Sequence, residues 1–226
     1  SLGVVMLPRM SNTFANGDKD KMNEYLNTSL QGVAYVSIPM AVGLAAVSNE
    51  FVPWFFGPGF ESVSYLMIIL TPILFLIAMS NVLGTQYLLP SNRTKEFTLS
   101  VTVGAVINVV LNFLLIPKYR ALGSCISTVI AEFGVTLIQY MCLKDSIKIS
   151  KIFRSMCKYL IASIFMFVGV RLTGIYMGAK IITTLIQGII GVIIYLSILT
   201  LLKEEINILA YNFIVSKVIK RKTVRE

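Results

Sequence analysis

The chain has 226 residues, 56% of them hydrophobic and only 14% charged, with a formal charge of +9 and no histidine. Soluble domains carry about 25% charged residues, and a chain of this size cannot hide such an apolar excess in one core, so a soluble globular fold is excluded. The missing histidine removes imidazole acid–base chemistry and His-based metal sites. The basic residues are separated by apolar blocks, which argues against a nucleic-acid surface.

Residues 2–7 form an apolar stretch with neither an initiating Met nor a charged leader before it. This is not a signal peptide; it reads as the end of a span that begins outside the sequence, so the chain is expected to be a piece of a longer protein. Six complete spans follow, at about 26–47, 63–89, 97–116, 121–143, 159–177 and 181–202. Each is long enough to cross a hydrocarbon layer of about 30 Å as a helix. The expected fold is an all-α integral membrane protein with short connections, punctuated by Pro53, Gly57, Pro58 and Gly59, by Pro90, Ser91 and Asn92, and by Pro117. Alternating the connections between two sides puts all but Lys118, Arg120, Arg171 and Lys180 of the 20 Lys and Arg on one side, which is then cytoplasmic and holds the C-terminus. The 48–62 connection, with Glu50 and Glu61 and no cation, is expected to face outward. Ile206, Leu209, Ala210, Phe213 and Ile214 recur at helical spacing ahead of Lys217, Lys220, Arg221 and Lys222, the pattern of a basic amphipathic tail against an anionic leaflet.

Polar groups inside spans are few, and each is costly in lipid. Glu132 lies mid-span in Ile130-Ala131-Glu132-Phe133-Gly134 and should face a bundle interior or a wet cavity. Asn108 and Asn112 share a helix face; they either line a cavity or clamp two helices. Gln31, Asn81, Gln86, Gln139 and Gln187 add to a polar inner surface. Arg9 follows Pro8 at the end of the partial span, placed either to snorkel or to meet an anionic headgroup. Pro39 and Pro72 fall inside spans and are candidate hinges. Cys125, Cys142 and Cys157 have no metal-ligand spacing, and no phosphate-cradling Gly-rich loop is present. No catalytic residue, metal site or cofactor is therefore expected, and transport must draw on an ion gradient, the membrane potential or consumption of the product.

Several phrases carry a family likeness. Val5-Met6-Leu7-Pro8-Arg9-Met10-Ser11, Ser37-Ile38-Pro39-Met40, Phe51-Val52-Pro53-Trp54-Phe55-Phe56-Gly57 and Gln86-Tyr87-Leu88-Leu89-Pro90 are joined by Gly104-Ala105-Val106-Ile107-Asn108, with Asn112 and Ile116-Pro117-Lys118. Together they resemble the Wzx-type repeat-unit flippases of the MATE/MOP superfamily, over about residues 1–145. The resemblance implies the C-terminal half of a two-lobe, fourteen-helix transporter. Residues 1–145 would hold the end of helix 8 and helices 9–12, 146–202 the two terminal helices, and 203–226 the basic tail. It implies flipping of an undecaprenyl-pyrophosphate-linked oligosaccharide across a bacterial cytoplasmic membrane by alternating access. The implied partners are the lipid-linked substrate, membrane lipids, the N-terminal lobe and a polysaccharide polymerase. Arg9 alone matches the family's cationic cavity residues. A cation-coupled drug exporter or a lipid II-type flippase of the same superfamily are the alternatives. A membrane glycosyltransferase would need larger outward loops.

Overall fold

A computed structural model describes residues 10–204, 206 and 207, with the backbone alone at Ile149. Residues 10–15 are helical and turn at Gly17, whose φ of 71° suits a residue without a Cβ. Among the described residues, six helices long and apolar enough to cross a membrane follow: α1 (Lys19–Phe56), α2 (Ser62–Leu88), α3 (Thr94–Tyr119), α4 (Ala121–Leu143), α5 (Ile149–Met177) and α6 (Ile181–Leu201). The described residues include no strand.

Each expected span is present, but three helices are longer than their apolar stretches. α1 starts at Lys19 because the Asp18 carboxylate caps it, accepting the Lys21 N–H at 3.0 Å. At its other end α1 continues through Glu50 and Pro53 to Gly57, so most of the expected 48–62 connection is helix and the true turn is residues 57–61. α5 begins ten residues before its apolar part, at Ile149. α3 runs past Pro117 to Tyr119 before Arg120 turns the chain with φ 52°.

α2 is broken in kind. Pro72 starts a fresh helical segment, and the Thr71 hydroxyl donates to the Ile68 carbonyl at 2.8 Å just before it. From Asn81 to Leu88 the backbone is a π-helix. Such wide turns are rare and cluster at functional sites.

α3 and α4 pair along their length, α2 lies between α1 and α4, and α5 and α6 pack on α1 and on each other. Leu26, Leu30, Ala34 and Ile38 of α1 form a four-residue ladder in the same apolar cluster as Ala162, Met166 and Val170 of α5. Outward faces remain apolar, with Phe113 82% and Val109 67% exposed on α3, as a lipid or protein-covered surface requires.

Candidate functional site

The close approach of α3 to α4 depends on Gly104. A Cβ there would overlap Val135 Cγ2, and one at Gly123 would lie 2.6 Å from the Leu115 carbonyl. With these helices held together, residues 97–108 of α3, 128–139 of α4 and the π-helical turn of α2 line a groove of about 500 Å³. Its polar lining is Ser80, Asn81 and Thr85 from α2, Asn108 from α3, and Thr128, Glu132 and Gln139 from α4. Glu132 is the eleventh residue before the end of the 23-residue α4, so it lies near mid-membrane. It is half-buried, and among the described residues its carboxylate has no hydrogen-bond or ion-pair partner. A carboxylate at that depth must meet water, a cation, a proton or a ligand.

The sequence-predicted residues are brought together in part. Asn108 and Glu132 both line the groove. Asn112 Nδ2 donates to Asn108 Oδ1 at 2.9 Å, a bond along α3 itself rather than across to another helix. That bond orients the Asn108 side chain and leaves Asn112 Oδ1 buried without a partner. Gln86 is 3% exposed and lies behind the groove; its Nε2 donates to Asn81 Oδ1 at 3.2 Å. A five-residue separation is the one that a π-helix brings into contact. Gln139 Nε2 donates to Ser100 Oγ at 3.0 Å and ties α4 to α3. Pro72 marks the break in α2, whereas α1 is continuous through Pro39. Arg9 lies outside the described residues, as does the tail beyond Asn207.

Sequence reasoning missed Thr85 and Thr128, since threonine in a span gives no signal until its face is known. It also missed a second polar node. Glu50, read as a loop residue, is 7% exposed inside α1, and Arg171, within the expected 159–177 span but counted only for its side, lies in α5. Arg171 Nη1 donates to both Glu50 oxygens, at 3.0 and 3.1 Å, and Gln187 Nε2 of α6 donates to Glu50 Oε2 at 3.2 Å and to the Val170 carbonyl at 3.1 Å. Gly174 makes the room: a Cβ there would crowd the Glu50 carboxyl and Gln187 Nε2. The node joins three helices and lines no part of the groove.

The sequence profile of the lipid II flippase MurJ family matches residues 1–196. The chain belongs to that family. It is 24% identical over 149 residues to the lipid II flippase MurJ of Bacillus subtilis, a match that takes in 64% of this chain and 27% of that one. A candidate O-antigen transporter of Escherichia coli is 30% identical over 90 residues, 40% of this chain and 22% of that one. A solved lipid II flippase MurJ in an inward closed conformation superposes with a TM-score of 0.77 at 23% identity, covering 91% of this chain and 43% of that chain. That likeness shows a MurJ-like membrane transporter fold. The chain thus spans less than half the length of these relatives.

Proposed function

We propose that the chain is part of a flippase for undecaprenyl-pyrophosphate-linked saccharides, and that the groove between α2, α3 and α4 is its share of the translocation cavity. The observation that carries this reading is the groove itself. A mid-membrane carboxylate, the Asn108 side chain oriented by Asn112 and a π-helical turn converge on one concavity of about 500 Å³ in a chain of a lipid-flippase family. Such an arrangement suits a sugar-rich headgroup, which needs many hydrogen-bond partners while it crosses hydrocarbon. Family membership favours lipid II as the cargo; the 30% match to a candidate O-antigen transporter favours an oligosaccharide repeat unit as the second reading. Both cargoes share the polyprenyl-pyrophosphate carrier. The cation-rich side, including Lys144, Lys148, Lys151 and Arg154, faces the cytoplasm in this reading.

Complementation separates the two cargoes. The full-length parent protein is expressed in one bacterium depleted of its lipid II flippase and in another lacking its repeat-unit flippase. Rescued growth in the first identifies lipid II; restored surface polysaccharide in the second identifies the repeat unit. Neither rescue, with the protein present in the membrane of both, refutes the flippase reading.

A further inference from the structure

A second concavity, of about 540 Å³, shares no lining residue with the groove and lies where the start of α5 meets the end of α6. Its lining carries Lys151, Arg154 and Lys158 from α5 and Lys203 from just beyond α6, with Glu204 as the one acid among the described lining residues. Helix lengths fix its depth. The 29 residues of α5 extend about 43 Å at about 1.5 Å each, against a hydrocarbon layer of about 30 Å. The surplus is about two turns, and Lys151, Arg154 and Lys158 all fall within the first ten residues of the helix. The 21 residues of α6 match the hydrocarbon alone, which puts Lys203 at its edge. The pocket is therefore at headgroup depth, beside the positive end of the α5 dipole.

Glu204 shows what the pocket prefers. It is 2% exposed, although it follows the last span and nothing in its sequence position requires burial. Lys158 Nζ lies 2.8 Å from its Oε2, and the Tyr159 hydroxyl donates to Oε1 at 3.0 Å. The chain has thus supplied an oxyanion to its own basic pocket. The Arg154 and Lys203 side chains remain exposed at the rim without a hydrogen-bond or ion-pair partner among the described residues. A forked guanidinium and an ammonium at the edge of a roomy cavity match the oxygens of a phosphate, and basic pockets between membrane helices take phospholipid headgroups.

We propose that this pocket holds the phosphate of an anionic membrane lipid, contacted by Arg154 and Lys203, with Glu204 as an internal carboxylate that competes with it for Lys158. The site is separate from the translocation groove, and it requires only that the pocket lie at a membrane boundary.

The test is retention of phosphatidylglycerol by the full-length protein in nanodiscs of zwitterionic lipid, counted by native mass spectrometry. Parallel samples contain diacylglycerol in its place, or inorganic phosphate added beside it. Each rim cation contributes about five-fold, so Arg154→Gln with Lys203→Gln lowers retention about thirty-fold. Glu204→Gln moves the other way and raises it about five-fold, a reversal that a merely structural role for the pocket does not produce. Diacylglycerol is not retained, and inorganic phosphate does not displace the lipid. Unchanged retention in the Arg154→Gln, Lys203→Gln variant overturns the proposal, as does a drop in well-folded Glu204→Gln. Displacement by inorganic phosphate assigns a soluble-anion site and overturns the lipid. Arg154 and Lys203 are exposed, so that double variant is decisive even where Glu204→Gln fails to fold. The readout is lipid retention, so failure here leaves the flippase reading intact, and a failed complementation leaves this one intact.

Discussion

Neutralising the Glu50–Arg171 pair one side at a time should destabilise the protein unequally. Arg171→Met strands a carboxylate that is 7% exposed, with only Gln187 Nε2 left to serve it. Breaking a buried pair in this way costs about 3–5 kcal/mol. Glu50→Gln strands a guanidinium instead, but the Arg171 side chain is 26% exposed, and Gln keeps an acceptor for Nη1. The loss there is nearer about 2 kcal/mol. The double variant has no charge to strand and should cost no more than Glu50→Gln alone, leaving a coupling of about 3–5 kcal/mol. The cycle is read by reversible unfolding of the four proteins in mixed detergent micelles, followed by circular dichroism. Additivity within about 0.5 kcal/mol would show that the two charges do not act as a pair in the folded protein and would refute the reasoning.

Glu132→Ala should abolish complementation while the protein inserts at its normal level, because the groove loses its only mid-span carboxylate among the described residues; full activity would remove Glu132 from the site. Gly104→Val should separate α3 from α4 and lower the melting temperature, and Val135→Ala should restore much of the loss by vacating the volume that the new side chain needs. Equal melting temperatures for Gly104→Val with and without Val135→Ala would mean that the helices do not meet there. Glu61 in the turn between α1 and α2 accepts backbone N–H bonds, its own and that of Gly59 at 3.1 Å, which hold its carboxyl below the usual carboxylate range. Its contribution to the turn is therefore complete above about pH 4.3 and is lost only as pH falls through the lowered folded value. A titration of Glu61 by nuclear magnetic resonance that gave a normal or raised value would contradict the turn geometry.

The six spans were legible because lipid leaves few alternatives: twenty apolar residues in water-free surroundings form a helix whatever their order. Helix ends were less legible, since hydropathy reports where lipid ends and not where hydrogen bonding ends. The cap at Asp18 lies outside the apolar stretch, and Glu50 was taken to end a span because its partner, 121 residues away, has no local signature. The same blindness to distance left Arg171, inside the expected 159–177 span, counted with the connection cations rather than paired. In the groove, Asn108 and Glu132 stood out as costly residues in apolar runs, whereas the π-helical turn did not. It depends on how Asn81, Gly84 and Gln86 sit against α4: a Cβ at Gly84 would lie 2.8 Å from Gln139 Nε2, and no periodicity in the sequence encodes that contact.

The treatment of carboxylates separates scaffold from candidate site. Glu50 meets Arg171, Glu96 meets Arg93, and Glu204 meets Lys158, so these three carboxylates are matched by cations inside the chain. Glu132 lies deeper than any of these and has no such match among the described residues. A scaffold role would favour the reverse, since the penalty for an unmatched charge rises with depth. The groove residues beside it, Asn81, Thr85 and Asn108, can donate or accept hydrogen bonds but carry no charge that would neutralise it. Glu132 therefore reads as a group whose partner arrives from outside this set, whether proton, cation or cargo. The complementation of Glu132→Ala against Glu132→Gln divides these: Gln, which imitates the protonated acid, retains function only if the carboxyl works in its neutral form.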